Sequence, residues 1–300
     1  MGIPRIELFA QGHRACTGCG SVLAMRYILK ASGRNVIVCH ATGCMEVVSS
    51  PYPETAWKVP WIHVAFENAA AVASGVSRAL KAQGRDKEVK VMAVGGDGGT
   101  FDIGLQALSG AVERGENVCY VCYDNSAYMN TGVQRSGATE KYAATTTTPA
   151  GKKIHGKTDY KKNMPFIMAG HGNCYVATAN IAYPVDLIKK VRKGLERNGP
   201  AYIQIFSTCQ PGWKHANHTA IAISKLAFET NFYPLFEIEQ GVLKLSMKPT
   251  QRKPVEEFFK TQGRFKHLVK EEIDEHQKHI DETMVELEKM QEHKIRINVR

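Results

Sequence analysis

The sequence predicts an α/β fold built on a doubly wound, mostly parallel sheet. Short apolar runs rich in β-branched residues alternate with helical patterns, and glycine-rich turns follow several of the runs. Four runs are typical of buried strands, at residues 35–39, 89–94, 118–123 and 202–206. Helical patterns lie beside them at residues 21–31, 66–83, 104–114 and 184–197. This alternation indicates successive βαβ units.

The pattern changes past Thr219. Residues 271–292 are charged, with intermittent Ile, Met, Val and Leu, which is typical of a surface helix packed on a larger core. We therefore expect a main domain at residues 1–218 and a partly helical C-terminal extension at residues 219–300.

Composition excludes several classes of protein. The chain has 300 residues, a net charge of +10 and 43% apolar residues, which is ordinary for a globular protein. It contains no apolar run of about 18 residues and no signal-peptide core, so we expect no membrane embedding and a cytoplasmic location. Nucleic-acid binding is not expected, since no aromatic residues interleave with the basic ones in a stacking pattern.

The basic excess is densest at residues 151–165. This segment holds five lysines and one acid, Asp159; the lysines are Lys152, Lys153, Lys157, Lys161 and Lys162. The lysines could form a docking patch for an acidic partner, because such a field raises encounter rates. A solvated loop without a partner is the alternative interpretation.

Four of the eight cysteines lie at predicted strand ends or helix starts. Cys16 and Cys19 form a C-x-x-C before the first helix, while Cys44 and Cys209 each follow a predicted strand. Loops at one sheet edge could bring four thiolates together for an iron–sulfur cluster. Spacing alone leaves structural zinc, a redox pair or unrelated thiols open.

The other cysteines are predicted to be core residues. Cys119 and Cys122 also form a C-x-x-C, but inside an apolar strand, where positions i and i+3 point to opposite faces. They cannot bind one metal together. Cys39 and Cys174 are expected to pack as small apolar side chains.

A glycine-rich turn follows the strand at residues 89–94. Its glycines Gly96, Gly98 and Gly99 let backbone amides approach phosphate oxygens at the start of a helix. Asp97 supplies a hard oxygen for Mg²⁺, which usually keeps substrate phosphates among its ligands.

A second polar loop follows the strand at residues 118–123. Asn125 can bring its amide oxygen, and Ala127 its carbonyl oxygen, to the same metal. Asn130 and Thr131 then lie on the loop above it. A G-D-G turn, a spacer of about one helix and strand, and an asparagine resemble the pattern of thiamine-diphosphate enzymes. Asp124 departs from that pattern, which has asparagine there.

The motifs together resemble the β subunits of pyruvate:ferredoxin oxidoreductases and their 2-oxoacid relatives. The likeness spans about residues 12–267; its stretches begin at Ala15 (ACTGCG), Ala41 (ATGCME), Pro51 (PYPETAW), Gly95 (GGDGG), Tyr128 (YMNTG), Ala144 (ATTTT), Pro254 (PVEEF) and Gln262 (QGRFKH). The resemblance implies a thiamine-diphosphate-binding fold for residues 1–218, including the cluster loops.

The resemblance also implies the cofactors and their ligands. Cys16, Cys19, Cys44 and Cys209 would ligate a [4Fe–4S] cluster, and Asp97, Asn125 and the Ala127 carbonyl would hold Mg²⁺. Thiamine diphosphate would contact these three metal ligands together with Gly96, Gly98, Gly99, Asn130 and Thr131. Asn130, beside the thiazolium and the substrate, is the expected catalytic residue.

The implied activity is coenzyme A-linked oxidative decarboxylation of pyruvate, or its reverse, with electrons passed to ferredoxin. The resemblance places the carboxylate that activates the aminopyrimidine on a separate α subunit, so further subunits are expected. Glu46 and Glu67 are local candidates for that carboxylate, and a structural role is the interpretation we favour for both.

Three alternatives remain at this stage. One is the same chemistry on a branched-chain, aryl or other 2-oxo acid such as oxalate. The second is a thiamine enzyme without redox chemistry, and the third is a zinc-stapled basic scaffold that is not an enzyme.

Overall fold

The computed structural model describes residues 2–297 of the chain. Its strands are β1 (Val36–Ala41), β2 (Trp61–Val64), β3 (Lys90–Gly96), β4 (Cys119–Asp124), β5 (Tyr175–Asn180), β6 (Ala201–Phe206), β7 (Phe236–Glu239) and β8 (Val242–Leu245). Its α-helices are α1 (Gly20–Ser32), α2 (Cys44–Val47), α3 (Ala69–Ala82), α4 (Leu105–Glu113), α5 (Met164–Ala169), α6 (Pro184–Glu196), α7 (Gln210–Trp213), α8 (Ala220–Glu229), α9 (Val255–Lys260) and α10 (Lys270–Glu292). The four predicted strands and all the predicted helices are confirmed.

The strands of the described residues form one sheet in the order β2-β1-β3-β4-β6-β5-β7-β8. Pairing from β2 through β5 is parallel, whereas β7 is antiparallel to β5 and β8 to β7. The predicted mostly parallel sheet is therefore confirmed. The carboxyl ends of β1, β3, β4 and β6 lie side by side.

Helices cover both faces of the sheet, as a doubly wound fold requires. On one face α1 and α6 bury Met25, Ile28 and Val191 against the strands. On the other face α3, α4 and α5 bury small and medium side chains, among them Ala73 and Leu108. The alanines of α3 let that helix pack close to the sheet.

The C-terminal extension joins the same sheet. Its hairpin of β7 and β8 continues the sheet past β5, and α8 and α9 enclose a third apolar cluster around Phe206, Trp213 and Phe258. The expected boundary at residue 218 stays a prediction, since the sheet runs across it.

Helix α10 is long and carries a buried stripe of His276, Ile280, Met284 and Leu287. Among residues 2–297, no helix combines the length and the apolar character needed to cross a bilayer.

Candidate active site

Four neighbouring strands deliver the predicted site residues to one edge of the sheet. Cys44 follows β1, Asp97 follows β3, Asn125 follows β4 and Cys209 follows β6. Because these strands are adjacent and parallel, their carboxyl ends open into one crevice, which is where open α/β sheets bind ligands.

The turn after β3 has a tight backbone. A Cβ on Gly98 would lie 2.5 Å from the ring of Tyr128, so only glycine fits beneath that ring. The chain then makes one π-helical turn, Gly99–Ile103, which the amide of Gly104 closes on the Gly99 carbonyl at 2.9 Å. Such π-turns recur at functional sites, where they redirect backbone amides.

Three oxygens converge beside this turn. The side-chain oxygen of Asn125 lies 3.0 Å from Asp97 Oδ1 and 3.2 Å from the carbonyl oxygen of Ala127. Ligands about 2.0–2.1 Å from an octahedral Mg²⁺ stand about 2.9 Å apart, so the spacing fits such an ion. With the amide turned over, its nitrogen would donate to the same two oxygens. The three positions can therefore hold a cation or an amide donor.

Asp97 is held rigidly and away from water. It is 1% exposed. Ser136 Oγ donates to its Oδ2 at 2.6 Å, and the amide of Asn125 donates to its Oδ1 at 3.2 Å. Burial, and then the neighbouring charge of Asp124, raise the pKa of Asp97 to about 8. A bound cation would relieve that cost, so the carboxylate fits a metal ligand.

One cleft brings the predicted thiamine residues together. It has a volume of about 80 Å³. Its lining includes every residue predicted to bind the cofactor, namely Gly96, Asp97, Gly98, Gly99, Asn125, Ala127, Asn130 and Thr131. Cys44 and the stacked rings of Phe66 and Tyr128, whose centroids lie 5.6 Å apart, line the same cleft. Sequence reasoning missed Phe66.

The C-x-x-C loop packs directly on the loop of Cys209. Gln210 donates to the Thr17 carbonyl, and the Gly20 amide donates to the Thr208 carbonyl at 3.3 Å. A Cβ on Gly20 would lie 2.6 Å from the Thr208 amide nitrogen. Gly18 adopts a φ of +77°, which favours glycine. Small residues thus let two distant segments meet.

The four predicted cluster thiols lie within electrostatic range of one another. Burial, and then the neighbouring cysteines, raise the pKa of Cys44 to about 11 and that of Cys209 to about 12. The nearby amide of Asn130 offsets part of the rise at Cys44. Crowded, protonated thiols fit a site whose thiolates need a bound cationic centre.

Within residues 2–297, no three His, Cys, Asp or Glu side chains stand close enough to hold a single metal ion. A tetrahedral zinc needs sulfurs about 2.3 Å from one centre, whereas a [4Fe–4S] cube spreads its thiolates over four irons. Among the described residues, the four thiols thus do not present three ligands to one ion.

The remaining cysteines lie where the sequence predicts. Cys119 belongs to the apolar core on one face of the sheet, and Cys122 to the core on the other face. Cys39 and Cys174 are buried with Cys122. The opposite-face prediction is confirmed.

Three of the five lysines in the lysine-rich loop are buried or half-buried, namely Lys157, Lys161 and Lys162. Lys157 is 3% exposed, and its Nζ donates to the Thr139 and Tyr160 carbonyls. Lys161 pairs with Asp124 and Glu140, while only Lys152 and Lys153 of the five lysines are exposed. The inward lysines cannot face a ferredoxin. Sequence reasoning missed this, because a lysine's direction depends on partners far away in the chain.

The two acids considered for aminopyrimidine activation lie outside the cleft lining. Glu46 accepts a hydrogen bond from Ser50 Oγ at 3.0 Å and lies 3.7 Å from His63 Nδ1. Glu67 is exposed. The structural interpretation of both stays a prediction.

Comparison with known proteins shows the family to which the chain belongs. Residues 17–205 match the family described as thiamine pyrophosphate enzyme, C-terminal TPP binding domain. Pyruvate synthase subunit PorB of Methanothermobacter thermautotrophicus is 55% identical over 287 residues, covering 96% of this chain and 99% of that protein. Ketoisovalerate oxidoreductase subunit VorB of Pyrococcus furiosus is 45% identical over 296 residues, covering 97% and 95%.

A solved 2-oxoglutarate:ferredoxin oxidoreductase from Magnetococcus marinus has the same fold. It superposes with a TM-score of 0.59 at 24% identity, over 71% of each chain. The fold and the cleft define a thiamine-diphosphate-dependent oxidoreductase. The chain belongs to the 2-oxoacid:ferredoxin oxidoreductases, as a β subunit of that family.

Proposed function

We propose that the chain is the catalytic β subunit of an enzyme that converts pyruvate and coenzyme A to acetyl-CoA and CO₂, or runs the reverse reaction, with ferredoxin as electron carrier. The observation that carries this proposal is the shared cleft, in which Cys44 stands beside every predicted thiamine-binding residue. The more similar relatives, at 55% and 54% identity, are named pyruvate synthase subunits, which favours pyruvate over a branched-chain substrate.

Three kinds of group would work together in this site. Bound thiamine diphosphate would supply the carbanion chemistry that cleaves the bond to the substrate's carboxyl carbon. Asp97, Asn125 and the Ala127 carbonyl would hold Mg²⁺ against its diphosphate, on the support of their 3.0 and 3.2 Å spacings. Cys16, Cys19, Cys44 and Cys209 would hold a [4Fe–4S] cluster, on the support of their mutual proximity at one edge of the sheet.

Asn130 would act at the boundary between the two cofactors. Its side chain is exposed in the cleft and lies near the Cys44 thiol, whose pKa it lowers. We assign it the catalytic role, orienting the reacting end of the substrate and cofactor, with Thr131 beside it. Both residues lie on one loop, which Thr146 fastens by donating to the Gly132 carbonyl at 2.9 Å.

An α subunit would complete the site. The cleft of about 80 Å³ is far smaller than the roughly 300 Å³ or more of typical ligand pockets, which supports a site that a second chain completes. The eight cysteines are free, which suits the reducing cytoplasm that we propose as the location.

Anaerobic reconstitution with the partner subunits tests this function. We expect pyruvate, with coenzyme A, to reduce a low-potential dye with a higher kcat/KM than 2-oxoisovalerate or 2-oxoglutarate. A higher kcat/KM for another 2-oxo acid would make that acid the substrate in place of pyruvate, with the enzyme family unchanged. A colourless preparation with thiamine but without iron would favour a non-redox thiamine enzyme. A preparation with zinc alone would favour a scaffold.

A further inference from the structure

We propose that Asp124 and Lys161 are a positioning pair that fixes the metal-binding loop after β4. The inference rests on the proposed function, because the loop it concerns is the one assigned to Mg²⁺. Asp124 is also the residue that departs from the usual asparagine of thiamine enzymes. None of the roles assigned above to the site residues explains why an aspartate stands there.

Asp124 is fully buried and uses both carboxylate oxygens. Its Oδ1 accepts from the Ser126 amide at 3.1 Å, while its Oδ2 accepts from Lys161 Nζ at 2.5 Å and Gln204 Nε2 at 2.7 Å. Oδ1 therefore binds the backbone of the loop, whereas Oδ2 binds side chains that lie outside the loop.

The grip on Ser126 sets the path of the loop. Ser126 has a φ of +68°, which costs energy for any residue with a side chain. Thr139 Oγ1 donates to the Ser126 carbonyl at 2.7 Å and holds the other side of the same residue. This bend brings the Ala127 carbonyl oxygen to 3.2 Å from the side-chain oxygen of Asn125, which itself lies 3.0 Å from Asp97 Oδ1.

Lys161 makes a carboxylate possible at this buried position. A buried carboxylate without a counter-ion is costly, whereas a neutral asparagine could accept from Ser126 unaided. Lys161 Nζ bridges Asp124 and Glu140, the latter at 3.1 Å. The lysine thus stabilises the charged form of the residue that holds the loop, although it touches no predicted ligand of the metal.

The chain offers a matched control. Lys190 is 1% exposed, and its Nζ donates to Asp186 at 2.7 Å and to the Thr178 carbonyl at 2.8 Å. It forms a buried ion pair of similar kind on α6 and contacts no residue of the metal-binding loop. If a loss of metal affinity merely reflected a broken buried ion pair, it would appear on substitution of Lys190 as well as on substitution of Lys161.

The test is Mn²⁺ binding to the reconstituted complex with thiamine diphosphate present, followed by the EPR signal of free Mn²⁺. Lys161→Met and Asp124→Ala should each weaken Mn²⁺ binding about 10–100-fold, the usual scale for residues that orient metal ligands. The double variant should be no weaker than the worse single one, because the two residues act as a unit. Lys190→Met should bind Mn²⁺ within about twofold of wild type.

Lys161→Arg keeps the positive charge and should retain most of the wild-type Mn²⁺ affinity. It is the second variant at this position if Lys161→Met fails to fold. Unchanged Mn²⁺ affinity in folded Lys161→Met, or an equal loss in Lys190→Met, would overturn the positioning role alone. A wild-type complex that binds no Mn²⁺ with thiamine diphosphate would overturn the proposed function as well.

Discussion

The side-chain amide of Asn130 lies near enough to the Cys44 thiol to lower its pKa, and both residues line one cleft although they follow different strands of the sheet. Cys44 comes after β1 and Asn130 lies on the loop after β4, with only β3 between these strands. One contact therefore joins a predicted cluster ligand to the predicted thiamine loop. Electrons leaving the substrate would have a short path to the cluster.

Asn130→Ala should lower turnover while thiamine diphosphate stays bound. The variant removes one preorganised donor from the reacting end of the cleft, a loss that costs about 10²-fold in kcat in comparable sites. Dye reduction by the reconstituted complex and the thiamine content per chain are the two measurements. The exposed Asn35, far from the cleft, provides the control variant Asn35→Ala. Full activity in Asn130→Ala would rule out the catalytic assignment.

Cys209→Ser should lower the iron content of anaerobically purified protein. We expect fewer irons per chain than the about four of a complete cluster. Serine is a poor substitute for the thiolate, and Cys209 follows β6, the strand that brings its loop against the loop of Cys16 and Cys19. Cys174→Ala is the control. That thiol is buried in the apolar core directly before β5, at the opposite end of the strands from the predicted cluster loops. Equal iron in both variants would contradict the ligand set.

Asp97→Ala should abolish retention of both Mg²⁺ and thiamine diphosphate through gel filtration. The variant deletes the one charged oxygen of the three that converge, and a diphosphate held without its cation is repelled by neighbouring acids. Bound thiamine and bound magnesium, measured per chain, give the answer. Asp159→Ala changes an exposed acid of the lysine-rich loop and should retain both.

Much of the site could be predicted because its residues follow strands. A strand's carboxyl end is a position that the sequence reveals, since an apolar run stops and small or polar residues begin. Cys44, Asp97, Asn125 and Cys209 share that signal, and the structure places them on four adjacent strands. The order of the strands decides that these ends meet.

Other features depend on contacts that a local pattern does not contain. The partners Asp124 and Lys161 are separated by 37 residues, so the direction of the lysine becomes known only with the path of the loop. The hairpin of β7 and β8, by contrast, could have been predicted from the sequence. Alternating residues flank Gln240 and Gly241, and both of these residues have positive φ. A two-residue turn of this kind indicates a hairpin.

Lys157→Met should change how stability depends on pH. Burial lowers the pKa of Lys157 from 10.5 to about 8 in the folded protein. Between these pH values the unfolded chain binds more protons than the folded one, so wild type gains stability as the pH rises from about 8 to 10.5. The variant lacks this gain. Urea unfolding of both proteins across that range measures the difference, with exposed Lys153→Met as the control.

Glu275→Gln should loosen α10 from the loop that precedes the lysines. Glu275 accepts hydrogen bonds from Lys141 at 2.5 Å, Tyr142 at 2.7 Å and Tyr160 at 2.9 Å, and these donors lower its pKa from 4.5 to about 2. A lowered acid pKa stabilises the fold above about pH 4.5, and that stability is lost as the pH falls towards 2.

Because Glu275 is 40% exposed, solvent screens the ion pair, and we expect a loss below about 1 kcal/mol at pH 7. The gap between wild type and Glu275→Gln should narrow as the pH falls from 4.5 towards 3, measured by urea unfolding. Glu282→Gln removes an exposed acid of the same helix that lies 3.8 Å from Lys278, and it should cost less at every pH. A gap that stays constant with pH would show that the charge of Glu275 does not anchor the helix.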